Sequence, residues 1–128
     1  MRLGIDAGRA LHGRGGVSTY TRELIRSLVE SPRVEEITLF DLDRGCLKRQ
    51  AFERELGSLP EKVVVAPAER SVLEGLNLFH APGFAMPPIG APRHVFTLHD
   101  LTVLSHPHCH TLDNRVRTLA SIAEALVR

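Results

Sequence analysis

Tryptophan is absent from this 128-residue chain, tyrosine occurs once and phenylalanine five times. Basic and acidic side chains nearly cancel, 16 against 15, leaving a net charge of +1. A general nucleic-acid binder wants a basic face and aromatic stacking platforms, and neither surplus exists here. No apolar run approaches the ~20 residues needed to cross a bilayer. The opening MRLGIDAGRALHG lacks the long apolar stretch of a secretory signal and reads as the start of a fold. Two cysteines, Cys46 and Cys109, are too few for a disulfide scaffold, so a reduced cytoplasmic protein is expected. What remains, 43% hydrophobic and 24% charged residues, is the make-up of a globular chain, and its length fits one domain over residues 1–128.

Short apolar runs alternate with helical patterns. Arg2–Asp6, Glu36–Asp41, Lys62–Pro67, Leu76–Ala81 and His94–Leu98 read as strands. The consecutive valines of the third suit burial on both faces. A stripe of Val17, Tyr20, Leu24 and Leu28, with Ile25 and Val29 beside it, predicts a first helix over Val17–Glu30. Ser18 or Thr19 would cap its start and Ser31-Pro32 would end it, while Arg22, Glu23 and Arg26 form a solvated face. Leu47–Leu56 gives a weaker helix closed by Gly57. Pro82–Pro92 holds four of the eight prolines and is expected to be a loop. Leu112, Val116, Leu119, Ile122, Ala123, Leu126 and Val127 mark a strong final helix. This alternation predicts an α/β fold, a Rossmann-like parallel sheet with helices on both faces. The last helix reaches Arg128 with no residue that stops it and no strand behind it, so the expectation is an incomplete domain. An open sheet edge would then invite pairing with a second copy of the chain.

Three constellations bear on chemistry. Gly8 to Gly16 lies between the first strand and the first helix, at the carboxyl end of a strand, where open α/β sheets bind ligands. Glycines there let backbone N–H groups approach a phosphate, aided by the positive end of the helix. The loop is neither a Walker loop, since Gly13 is followed by Arg14-Gly15, nor a dinucleotide fingerprint, since Ser18 stands where the last glycine belongs. A turn needing only positive φ is the simpler alternative. His99-Asp100 follows the fifth strand at the same edge. The imidazole suits hydrogen-bond work near neutral pH, or else only satisfies local backbone groups, whereas Asp100, on the opposite pleat, is better placed to brace the loop. His106-Pro107-His108-Cys109-His110 has three histidines, but Pro107 interrupts it and no distant ligand is specified, so no metal is assigned. No GxSxG turn supports a nucleophilic serine.

Taken together, GIDAGRALHGRGGVSTYTREL, LNLFHAPGFAMPP and HVFTLHDLTVLSHP resemble, in order, the N-terminal domain of family-4 glycosyltransferases. These are retaining enzymes of the GT-B architecture, in which two Rossmann-like domains face each other across a cleft. The resemblance implies a mannosyl- or glucosyl-type transferase of bacterial polysaccharide or glycolipid assembly, with a GDP- or UDP-hexose donor and no required metal. It implies that Gly15 and Gly16 approach the donor diphosphate and that His99 touches the donor sugar. His80, Asp100 and Arg14 become candidates for the acceptor cleft, and Tyr20 and Leu24 match the packing face of the first helix. The donor-binding second domain, with its acidic motif, is absent from this sequence, and the resemblance does not imply a part that works alone. It places the enzyme in the cytoplasm, with a lipid-linked acceptor at the inner face of the membrane as one option. A non-catalytic module that keeps an acceptor- or protein-binding surface is the alternative, and an unrelated nucleotide-binding α/β domain is a third.

Overall fold

A computed structural model describes residues 1–83 and 93–127. Most of the segment expected to form the Pro82–Pro92 loop lies outside the described residues. The five strands are β1 (Arg2–Asp6), β2 (Glu36–Phe40), β3 (Val63–Val65), β4 (Leu78–Ala81) and β5 (His94–Phe96), all parallel in the order β3-β2-β1-β4-β5. Six α-helices connect or follow them: α1 (Gly8–His12), α2 (Gly16–Glu30), α3 (Arg49–Leu56), α4 (Arg70–Glu74), α5 (Thr102–Ser105) and α6 (Leu112–Val127), with a 3-10 turn at Pro107–Cys109. This is the expected Rossmann-like α/β layer. Strand order reverses direction between β1 and β4, so the crevice of such a sheet opens where Asp6 and Ala81 end their strands.

Each face of the sheet buries a separate cluster. On one, Leu3, Ile5, Ile37, Leu39 and Val63 meet Ala10, Ile25, Phe52 and Leu56 from α1, α2 and α3. On the other, Phe40 and Phe79 meet Leu73 and Leu76 at α4 and just after it. Gly4 makes the second cluster possible: a Cβ there would lie 2.5 Å from Leu76 Cδ1 and 3.0 Å from both phenylalanine rings. Without it the rings pack across β1 with centroids 5.5 Å apart.

Several expectations are corrected. Val64 is 41% exposed, because β3 is an edge strand and its alternate residues turn outward. The buried stripe of α2 runs through Ser18, Thr21 and Ile25, while Tyr20 is exposed. Neither Ser18 nor Thr19 caps α2, whose N-cap is Gly15 with no side-chain bond. Helix α1 occupies the first half of the segment read as a glycine loop, and α4 and α5 carry too few residues to show a periodic stripe. The largest departure is α6. Its apolar residues Leu112, Val116, Leu126 and Val127 point to solvent, and Thr118 on its polar side is the buried one.

Candidate functional site

Strand β1 delivers Asp6 to the crevice at 2% exposure. Its Oδ1 accepts the amide hydrogens of Gly8 (3.1 Å) and Leu42 (3.2 Å), fastening the start of the loop to the end of β2. Burial pushes its carboxyl up to about 6, against the lowering effect of those two bonds. Beside it, buried Asp41 accepts from His12 Nε2 at 2.7 Å and from the amides of Cys46 and Arg44. Burial raises its affinity for a proton, yet the three donors outweigh that and hold it below the usual carboxylate range.

The rest of the loop is fixed from α2. Arg22 Nε donates to Ala10 O and Arg22 Nη2 to Gly13 O, each at 3.1 Å. Arg26 donates to the Glu55 and Leu56 carbonyls at the end of α3. Arg22 is thus half-buried on the loop and departs from the expected solvated face, whereas Arg26 and Glu23, paired with each other, remain exposed as expected. Gly13 admits no side chain: a Cβ would stand 2.1 Å from Ser18 Oγ and 2.8 Å from Arg9 O.

Gly15 and Gly16 differ from Gly13. Around either of them a Cβ would meet nothing within 4 Å. Gly15 sits at φ +109°, a conformation that favours glycine by itself. Gly16 has neither reason, since its space is open and its φ is not positive. The first backbone bond of the helix runs from Thr19 N–H to Gly15 O at 3.0 Å. The amides of Gly16, Val17 and Ser18 are thus the orphans of the helix start, with no capping side chain and no acidic residue in the first turn. They border a cavity of about 780 Å³ whose lining also includes Asp6, Arg9 and Arg14, and which α6 walls with Asn114, Arg117 and Ser121. The positive end of α2, Arg9 and Arg14 make this concavity suited to an anion, although Arg9 faces Asp43 at 3.9 Å and Arg117 pairs with Asp113 at 3.0 Å.

At the same rim, His80 sits near the end of β4 and His99 lies just beyond β5. His99 Nε2 lies 2.7 Å from the Pro82 carbonyl, and its ring meets the Tyr20 ring edge-to-face with centroids 5.1 Å apart. Tyr20 stands one helical turn from Gly16, so the tyrosine is what joins the glycine end of α2 to His99. His99 is not among the residues that line the cavity with Gly16 and Arg14. His80 Nε2 shares a 2.8 Å hydrogen bond with Thr97 Oγ1, which also lies 3.4 Å from Tyr20 Oη, and burial lowers the affinity of His80 for a proton. Asp100 is engaged by Thr102. Its Oδ1 accepts from Thr102 N and Thr102 Oγ1, bonds that hold its carboxyl low and brace the turn into α5.

His106 and His108 meet edge-to-face with centroids 6.0 Å apart, while His110 is engaged elsewhere. His110 bonds Thr102 Oγ1 and Asn114, and His106 bonds Ser105. No group of three or more metal-ligating side chains is placed to hold an ion among the described residues. Within those residues no helix is long and apolar enough to cross a membrane. No protein-family model, no curated protein and no solved structure matches the chain.

The sequence pattern marks Tyr20 as a packing residue and Arg22 as a surface charge. The contacts of Tyr20 reach Thr97, 77 positions along the chain, and no local pattern signals such a pairing. Asp6 carried a visible cue, a carboxylate at the end of the first strand with Gly8 two residues on.

Proposed function

We propose that the chain is the N-terminal, acceptor-side part of a retaining glycosyltransferase that moves a hexose from a nucleotide sugar to a glycan or glycolipid. The single observation that carries this reading is Gly16. It heads an uncapped helix at the crevice of the sheet, and neither packing nor backbone conformation asks for glycine there. The close approach of something outside the chain does ask for it, and a diphosphate is the group that a helix start with free amides receives best.

In this reading the amides of the first turn of α2 meet the negative charge that grows on the departing diphosphate, aided by Arg14. That stabilisation requires no metal. His99 orients the hexose through a hydroxyl and moves no proton. His80, held neutral by burial, and Asp100, committed to Thr102, shape the rim without touching the reacting atoms. The acceptor enters along the same rim. Nucleotide sugars are a cytoplasmic currency, so the reading places the protein in the cytoplasm, with a membrane-borne acceptor where the product is a glycolipid.

Gly16→Val tests the reading. A Cβ is accommodated sterically, so the variant folds, while in the active enzyme its branched side chain stands over the amides and weakens binding of UDP- or GDP-hexose by about tenfold or more in titration calorimetry. Equal affinity in the two proteins contradicts the reading. In the active enzyme, His99→Ala lowers turnover strongly with the fold intact; near-normal turnover removes His99 from the site.

A further inference from the structure

The contacts of His99 settle which of its nitrogens is available. A carbonyl oxygen only accepts, so the 2.7 Å approach of Nε2 to Pro82 O places the ring hydrogen on Nε2. A neutral imidazole has one donor and one acceptor nitrogen, which leaves Nδ1 with its lone pair. That single hydrogen bond does not by itself stop the ring from turning away from the carbonyl. Tyr20 closes off this motion by standing edge-to-face to it at 5.1 Å. Tyr20 is 38% exposed and lies outside the hydrophobic clusters of the sheet, so its place against His99 is not a by-product of core packing. It also follows Gly16 by one turn, about 6 Å along the helix axis, a separation comparable to that between a diphosphate and the ring of its attached hexose.

We propose that Tyr20 is a positioning residue for His99: with the Pro82 carbonyl it fixes the imidazole as the Nε2–H tautomer and presents Nδ1 as the acceptor for one hydroxyl of the donor hexose. This rests on the reading of the rim as a nucleotide-sugar site. It adds a polarity, namely that the hexose must donate a hydrogen bond to His99. A sugar lacking that hydroxyl, or carrying an ether in its place, loses the contact.

Two measurements test it, the first on the 128-residue chain and the second on the active enzyme. Long-range ¹H–¹⁵N spectra of the ligand-free protein report the tautomer of each histidine. The wild type is expected to show His99 as Nε2–H, Tyr20→Phe to keep that pattern because the ring is retained, and Tyr20→Ala to show averaged tautomers. An Nδ1–H signature in the wild type, or a wild-type pattern in Tyr20→Ala, overturns the proposal. The second measurement compares UDP and GDP with UDP-glucose and GDP-mannose. Every protein is expected to shift its Gly16 amide with all probes, while the extra affinity conferred by the hexose falls about three- to tenfold in Tyr20→Ala, the worth of one edge-to-face ring contact, and is restored in Tyr20→Phe. A Gly16 amide that responds to no probe refutes the donor-site reading, and the ligand-free spectra then decide the role of Tyr20 alone. A Gly16 response with an undiminished hexose effect in Tyr20→Ala refutes the role of Tyr20 and leaves the donor site standing.

Discussion

The β1–β2–β3 side of the molecule and the β5–α6 side obey opposite rules. In the first, apolar residues converge: Ile5, Ile25, Ile37, Leu39 and Phe52 are fully buried, with arginines tying the loose carbonyls at its margin. In the second, Val95 and Leu104 stand in solvent, and α6 carries Leu126 and Val127 at 82% and 87% exposure. Its polar face instead walls the cavity at the start of α2. The difference shows what positions the candidate site. The amides of α2 are held by the closed half, whereas the wall opposite them is set by polar contacts and leaves its apolar stripe uncovered.

Substitutions can break this contrast, beginning with the strongest. Phe52→Ala is expected to cost about 3–5 kcal/mol in denaturant unfolding, because it empties a site with no exposure. Leu126→Ser on the other half should change stability by less than about 0.5 kcal/mol; comparable losses at both positions would mean that α6 is packed as firmly as α3. Next in size is Asp6. Its carboxyl, near 6 when folded and about 3.9 when unfolded, binds its proton more tightly in the folded state. Its contribution to stability is therefore greatest below pH ~4 and falls as pH rises through 6, by about 3 kcal/mol in all. Asp6→Asn keeps an acceptor for the Gly8 and Leu42 amides without the buried charge. Unfolding measured from pH 4 to 8 should show the variant gaining on the wild type by up to that amount, and a constant difference would contradict the assignment.

A smaller effect separates the glycines of the loop. Gly13→Ala meets Ser18 Oγ and Arg9 O and is expected to cost about 2 kcal/mol. Gly16→Ala, with open space around it, should shift stability by less than about 0.5 kcal/mol. Equal costs at the two positions would remove the distinction between a glycine kept for packing and one free of it.

The sheet was legible because parallel strands are buried and short: RLGID, EITLF and LNLFHA stand out as apolar runs. Val64 was not, since a run of valines reads the same at an edge as in the centre. The extent of α2 follows from its pattern but its buried side does not, because Ser18 is buried against the loop that Arg22 pins at Gly13. That burial depends on Gly13, which sequence shows only as one glycine among several. At the rim, His80 and His99 stand out by their places at strand ends, and Gly15 and Gly16 by a glycine run just before a helix. Tyr20 does not, for its meaning comes from β5 and not from its own helix. The outward turn of the α6 stripe is likewise a tertiary outcome, since a helical pattern reports an apolar face without reporting what it faces.

The most direct test is a structure determined with UDP-glucose or GDP-mannose bound. The account predicts a phosphate oxygen within hydrogen-bonding distance of the Gly16 amide and a hexose hydroxyl directed at His99 Nδ1. A nucleotide sugar seated away from the start of α2, or one whose phosphates are held only by side chains elsewhere on the sheet, would contradict it.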